Sequence, residues 1–237
     1  MKTRPAESPS SVVPAPRTGA GTALDALPGS FYERPVLEVA RDLIGCTVVH
    51  GETAGVIVET EAYHQQEPAS HAYIGLTPRT STLFGPPGVA YVYRSYGIHA
   101  LFNAVCEPEG VGAAVLIRAL RPVAGLELMR RRRSRRPRAD EAEAGSVRSE
   151  DGSGARAMAD RELCSGPGRL AQALGIELGE NGTSLVRGPV RVLPRERRAP
   201  EIVASTRIGI TKAAALPWRF SLAGDENVSR PWPSRSG

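Results

Sequence analysis

Two carboxylates and a phenol alternate in Val58-Glu59-Thr60-Glu61-Ala62-Tyr63, inside an otherwise β-branched stretch. Strand alternation puts Glu59, Glu61 and Tyr63 on one face, with the glutamate Cβ atoms roughly 7 Å apart. A charged face on a short strand is commonly just solvated. Arg118 argues otherwise: it is a lone charge within the apolar run Ala113-Ala-Val-Leu-Ile-Arg-Ala-Leu120, and a buried guanidinium requires an anion beside it. A cation favours the ionised form of a nearby carboxylate, and an ionised, oriented carboxylate is what a general base for water needs. Paired carboxylates also suit acid and base catalysis on a sugar glycoside, and spacing alone does not separate the two chemistries.

A second constellation is Tyr91-Val-Tyr93-Arg-Ser-Tyr96-Gly-Ile-His99, which holds three of the six tyrosines. Tyrosine is a good strand former, so packing accounts for part of this cluster. Aromatics beside an arginine are also how proteins stack an unpaired base or wedge open a duplex. Tyr63, His71 and Tyr93 together fit an aromatic sandwich. Asn103, near a strand end, is either a satisfied buried amide or a reader of a ligand edge. No His, Cys, Asp or Glu spacing around His71 matches a zinc motif, so no metal is expected.

Two groups are suited to phosphate. Ser165-Gly166-Pro167 opens a helix, whose N-terminus attracts anions, and Arg130 to Arg138 is strongly basic, although such runs are commonly solvated or disordered. Gly85-Pro-Pro-Gly88 matches neither a P-loop nor a dinucleotide fingerprint.

The elements that must position these residues follow from periodicity and punctuation. Residues 1–29 lack hydrophobic periodicity and read as a disordered tail. Pro35 suits the start of a helix with Val36, Val39, Ala40 and Leu43 on one face and Gly45 as its stop. Thr47–His50 and Val56–Tyr63 read as a hairpin. Gln65–Gly88 reads as a long surface loop of the kind that carries function. Val89–Tyr96, Leu101–Cys106 and Ala113–Leu120 read as strands. A second helix is expected from Pro122 through Met129, then a mobile charged loop over 134–160. A third helix spans Pro167–Leu174, with Ser165 as N-cap and Gly175 as stop. Strand character returns at Leu185–Leu193 and Ile202–Ile210, and 231–237 read as a tail.

The 237 residues suffice for one substantial core, placed over 30–230, and the net charge of +5, nearly all from arginine, suits a polyanionic partner. Part of that arginine excess is compositional in a chain so rich in Ala, Gly and Pro. Three widely spaced cysteines with no Cys-x-x-Cys support neither a disulfide framework nor a zinc ribbon. With no signal peptide or membrane-length apolar stretch, a cytoplasmic protein in a reducing environment is expected.

Taken together these residues resemble the alkyladenine (3-methyladenine) DNA glycosylase family. The likeness runs from about Leu27 to Arg230, interrupted by the charged loop after Met129. It is carried by Val58-Glu-Thr-Glu-Ala-Tyr63, Thr77-Pro-Arg79, Tyr91-Val-Tyr93, Tyr96-Gly97, Leu116-Ile-Arg118-Ala-Leu-Arg-Pro122 and Leu163-Cys-Ser-Gly-Pro167. The resemblance implies a single α+β domain around a curved, mostly antiparallel sheet with flanking helices, and no cofactor. It implies a monomeric enzyme that meets the nucleoid through double-stranded DNA containing damaged purines, namely 3-methyladenine, 7-methylguanine and hypoxanthine. Glu61 would be the general base and Arg118 would hold the same water or carboxylate. Tyr63, His71 and Tyr93 would stack the extruded base, Tyr96 would wedge into the minor groove, and Asn103 would oppose the exocyclic amine of normal guanine. Arg79, Ser165, Gly166 and Lys212 are the candidates for contacts to the DNA backbone. The chain departs from the animal members at Ile98 and His99 and near Glu107 to Gly110. The residues themselves leave two other classes open, a catalytically silent nucleic-acid-binding module and a carbohydrate glycosidase using Glu59 and Glu61.

Overall fold

The computed structural model describes residues 25–134, 158–196 and 199–232. Most of the tail expected up to Gly29, of the charged loop expected over 134–160 and of the final tail lies outside the described residues. Eight strands among those described form one antiparallel sheet that curls into a half-barrel. They are β1 (Thr47–His50), β2 (Thr53–His64), β3 (Ala90–Ser95), β4 (His99–Val105), β5 (Ala113–Ala124), β6 (Val190–Leu193), β7 (Ile202–Ser205) and β8 (Arg219–Leu222). The main path runs β3-β4-β5-β2-β1-β6, and β8 joins β2 to β7. Five helices accompany them: α1 (Gly29–Tyr32), α2 (Val36–Asp42), α3 (Leu126–Ser134), α4 (Asp160–Leu163) and α5 (Pro167–Leu174). This is the expected α+β domain.

The two long strands β2 and β5 are the spine. One edge of β2 lies along β5, while its other edge is shared, with Thr53–Val56 pairing β1 and Glu59–Glu61 pairing β8. The sheet therefore forks at the middle of β2. Ile57, Ala62, Val92, Phe102, Ala104, Val115 and Ile117 face one side and bury against Val36, Val39 and Ala40 of α2 and Leu170, Ala171 and Leu174 of α5. That helix-covered side is the main core.

An irregularity at the fork decides what the other side carries. Ile57 is opposite Leu120, Glu59 opposite Ala119 and Thr60 opposite Ile117, so Val58 on β2 and Arg118 on β5 have no Cα partner. A bulge of this kind re-aims side chains. Unbroken alternation from Ile57 would turn Glu59, Glu61 and Tyr63 into the helix-covered core; the bulge instead puts Thr60 and Ala62 there. Thr60 Oγ1 donates to the Ala40 carbonyl of α2 at 2.8 Å. The three polar residues expected to share a face do share one, away from the helices.

Several element boundaries differ from the sequence reading for identifiable reasons. Pro122 does not open a helix but continues β5, opposite Gly55 beside a register shift, where a ladder N–H is not needed. The helix waits for Gly125, whose φ of +71° turns the chain, and α3 begins one residue later. Ser165 is not the N-cap of α5: Gly166 is, with no side-chain cap bond, while Ser165 bridges to Ala119. The stretch Leu185–Leu193 is strand only over β6, because residues 184–188 close a turn through the Gly188 N–H and Ser184 carbonyl at 2.7 Å. Strand β8 falls where the sequence reading saw no element.

A methyl group at Gly125 would stand 2.5 Å from the Glu52 carbonyl oxygen and 2.8 Å from Thr53 Cγ2, in a left-handed conformation. Gly125→Ala is therefore expected to destabilise the fold by about 2 kcal/mol or more, read as a lowered urea midpoint with unchanged slope.

Candidate active site

The face of the sheet opposite the helices floors a cleft of about 520 Å³. Tyr63 of β2, Ala114, Leu116 and Arg118 of β5, Leu101 and Asn103 of β4, and Tyr91 and Tyr93 of β3 line it. Ser70, His71, Arg79 and Leu83 from the 65–88 segment form one wall. Ile208, Gly209 and Ile210 form another, and Arg94 to Tyr96 with Pro167 reach its rim. The long loop is not without structure: it contains single 3-10 turns at His71–Ile74 and Ser81–Phe84, the first capped by Ser70.

Glu61 lies wholly buried beneath this floor. Its Oε1 accepts from the Ile208 N–H at 2.7 Å. Its Oε2 accepts from the Tyr63 hydroxyl at 2.8 Å and from Arg118 Nη1 at 3.4 Å. A carboxylate offers about four acceptor sites, so three bonds leave room for one more donor. Burial, reinforced by the Glu61 charge, pushes the Tyr63 phenol above its ordinary value and keeps it a donor. Glu59, also buried, binds Arg118 Nε at 3.2 Å and Arg219 Nε at 2.6 Å, so Arg118 joins both carboxylates. The lone arginine in an apolar strand has the anionic partners its burial demands.

The aromatic wall is a contact network. Tyr91 and Tyr93 stack with centroids 5.3 Å apart, and His71 stands edge-on to Tyr93 at 4.6 Å. His71 Nδ1 is 3.1 Å from the Tyr91 hydroxyl. Tyr63 lines the same cleft without ring contact to either, so the three expected stacking residues surround a space rather than fill it. Burial raises the Tyr93 phenol to about 12, helped by Tyr91 and Glu61. Burial lowers the His71 imidazole, and the Arg79 charge lowers it further, so the ring is neutral near pH 7. The Asn103 amide nitrogen donates to the Tyr91 carbonyl at 3.0 Å, which orients the amide at the cleft floor.

Tyr96 occupies the tip of the β3–β4 hairpin. The Ile98 N–H closes the turn on the Ser95 carbonyl at 3.1 Å, and both central residues have positive φ, 50° at Tyr96 and 71° at Gly97. Gly97 adopts this freely, whereas a tyrosine there is strained. The ring is 93% exposed. A strained backbone thus holds a large aromatic in open solvent beside the cleft.

The expected phosphate-gripping residues are scattered. Arg79 is exposed at the cleft, whereas Ser165 and Gly166 flank Pro167 outside it. Lys212 is exposed and does not line it. Three arginines in the described part of the run are engaged within the protein: Arg130 pairs with Glu127 and Asp160, Arg133 with Gln172, and Arg132 Nη1 donates to the Leu174 carbonyl at the end of α5.

Three functional supports escaped the sequence reading. Arg207 is buried, bonds both oxygens of Glu67 at 2.7 and 2.9 Å, and lies 4.7 Å over the Tyr63 ring. It ties the loop carrying His71 to the segment whose Ile208 N–H holds Glu61. Arg219 and Ser229 both bind Glu59. The signal that exposed Arg118, one charge among apolar neighbours, is present again in Trp218-Arg219-Phe220.

A buried, ion-paired carboxylate thus lies under an aromatic cleft on the open face of this sheet. The family model that matches residues 30–226 is that of methylpurine-DNA glycosylase. A protein of Rhodopseudomonas palustris described as "Putative 3-methyladenine DNA glycosylase" is 52% identical over 203 residues, covering 86% of this chain and 87% of that one. Relatives with the same description occur in Bradyrhizobium diazoefficiens, 46% identical over 95% of this chain and 99% of the relative, and in Methanoculleus marisnigri, 49% identical over 86% and 98%. The chain belongs to the methylpurine-DNA glycosylase family and is a DNA glycosylase, a hydrolase acting on DNA. No helix among the described residues is long and apolar enough to cross a membrane.

His71 gives a signed pH dependence. Its lowered value means that the unfolded chain takes up a proton before the native state as pH falls below the ordinary 6.5. The stabilising contribution is thus complete above that value and is lost as pH falls through the lowered one. His71→Gln should flatten this limb, so that urea midpoints of the two proteins diverge less at about pH 5 than at about pH 8.

Proposed function

We propose that the chain excises alkylated purines, 3-methyladenine and 7-methylguanine, and also hypoxanthine, from duplex DNA by hydrolysing the N-glycosidic bond. It works as a monomer without a cofactor and leaves an abasic site. The observation that carries this reading is Glu61, a buried carboxylate with one acceptor site to spare beneath a purine-binding cleft. In this mechanism the damaged nucleotide leaves the stack, because a duplex hides C1′ and both faces of the base. Its base enters between Tyr63 on one side and His71 with Tyr93 on the other. Neutral His71 brings no charge against a cationic methylated purine. Asn103 opposes the amine of normal guanine.

Glu61 takes a proton from water as the oxygen attacks C1′, while Arg118 holds the carboxylate in place. The purine departs with the glycosidic electron pair, and attack opposite the leaving base inverts C1′. Glu61 also stabilises the oxocarbenium-like sugar electrostatically. A methylated purine already carries positive charge and leaves as the neutral base, whereas hypoxanthine leaves as an anion that takes its proton from solvent. A lyase step would need an amine, and the only lysines are Lys2 and Lys212. The exposed position of Lys212 outside the cleft supports hydrolysis alone. Tyr96 wedges into the space vacated in the duplex, and Arg79, Ser165, Gly166 and Lys212 contact the backbone.

On duplex DNA containing 7-methylguanine or hypoxanthine, Glu61→Gln should lower single-turnover base release by at least roughly 100-fold while lesion binding persists. Base release at the wild-type rate would remove Glu61 as the base. Tyr96→Gly should divide stability from activity. Relief of the left-handed strain gains up to about 1 kcal/mol in urea unfolding, while loss of the wedge lowers excision from duplex on the order of tenfold. Excision at the parent rate would reject the wedge.

A further inference from the structure

Four charges meet beneath the cleft; Arg118 lines it, whereas Glu59, Glu61 and Arg219 lie behind that lining. Glu59 is fully buried with both oxygens committed. Its Oε1 accepts from Arg118 Nε at 3.2 Å, Arg219 Nε at 2.6 Å and the Ser229 hydroxyl at 3.0 Å. Its Oε2 accepts from the Ser229 N–H at 2.8 Å. Three donors saturate Oε1, and Oε2, with one, sits on a side chain that is wholly withdrawn from solvent. Glu59 is therefore unsuited to be a second catalyst.

Its effect is on Arg118. A guanidinium is a rigid planar fork. Glu59 fixes Nε, and the Ser229 hydroxyl accepts from Nη2 at 3.3 Å. With two corners held, Nη1 is directed at Glu61. Arg219 secures the far side, its Nη2 donating to the carbonyls of Ser229 and Pro231, each at 3.0 Å. Ser229 lies beyond residue 226, where the family match ends, yet it touches both Glu59 and Arg118.

We propose that Glu59, Arg219 and Ser229 form a positioning clamp for the reaction, holding Arg118 so that Nη1 serves Glu61, with the C-terminal segment supplying part of the site. The proposal rests on the reading of Glu61 as the base. The clamp also sets charge balance. The groups facing Glu61 are Tyr63 and Glu59 from β2, Arg118 from β5, Arg219 from β8, Tyr93 from β3, and Arg207 stacked behind Tyr63. Removing the Glu59 charge leaves Arg118 to Glu61 alone, whereas removing the Arg219 charge makes the two carboxylates share Arg118.

The test is single-turnover base release from 7-methylguanine duplex by the full chain across pH. Glu59→Gln should move the acid limb to lower pH, and Arg219→Gln should move it to higher pH, each by up to about one unit. Arg219→Lys should return the limb towards the parent. Ser229→Ala, which keeps the N–H and loses the bridging hydroxyl, should slow release roughly tenfold with lesion binding unchanged. General loosening of the fold does not produce opposite shifts. Limbs that stay put or move together, or a Ser229→Ala variant with full rate, would overturn the clamp. The Arg219 pair and Ser229→Ala decide the question even if Glu59→Gln fails to fold. Failure of the base reading is distinguishable, because Glu61→Gln would then retain activity whatever the clamp variants do.

Discussion

Two carboxylates and two guanidiniums withdrawn from water must neutralise one another, and the rest of the structure is arranged around that requirement. Glu59 and Glu61 come from one strand, Arg118 from its neighbour and Arg219 from a third that exists as a separate branch of the sheet. Without the fork, β1 would continue along β2 and no strand would deliver Arg219 to Glu59. A well-packed apolar filling would be as stable as such a cluster or more so. The cluster is explained by what it does for the cleft above it, where it fixes a carboxylate that water alone would leave mobile.

The cleft is rigid on its other sides for similar reasons. Arg207 joins Glu67, Tyr63 and the 206–210 segment through buried bonds and ring contact. The Thr80 hydroxyl bonds the Gly75 carbonyl at 2.8 Å and receives the Thr77 N–H at 2.8 Å, which braces the loop between His71 and Arg79. Preorganised dipoles and walls need little rearrangement when a substrate arrives. Glu107 and Ala213 also take positive φ, but at the cleft the strain falls on the exposed Tyr96, where the surface departs from what folding alone would choose.

Much of this was legible in the sequence, and the limits of legibility have physical causes. A charge surrounded by apolar residues on a long strand, as at Arg118, announces a buried partner because burial without one is so unfavourable. Arg219 sends the same signal, but its strand has only four residues and no periodicity to mark it. Arg207 sits in irregular backbone, where burial depends wholly on distant segments. Pro122 misled because a proline suits both a helix start and a strand irregularity, and only the opposing Gly55 distinguishes them. The aromatic residues line one cleft, and their separation into a stacked wall and a lone facing ring depends on the curl of the sheet, which their spacing in the sequence does not show.

The paired irregularity at Val58 and Arg118 gives the sheet a change of phase. Upstream of it odd-numbered residues of β2 point to the helices, and downstream even-numbered ones do. Sidedness is thus encoded by a count as well as by residue type. Loops such as 107–110 can gain or lose a residue and stay loops. One residue removed downstream of the irregularity, at Thr60 with the irregularity kept, would exchange interior and exterior for the remainder of the strand, turning Glu61 and Tyr63 towards α2 and Ala62 towards the cleft.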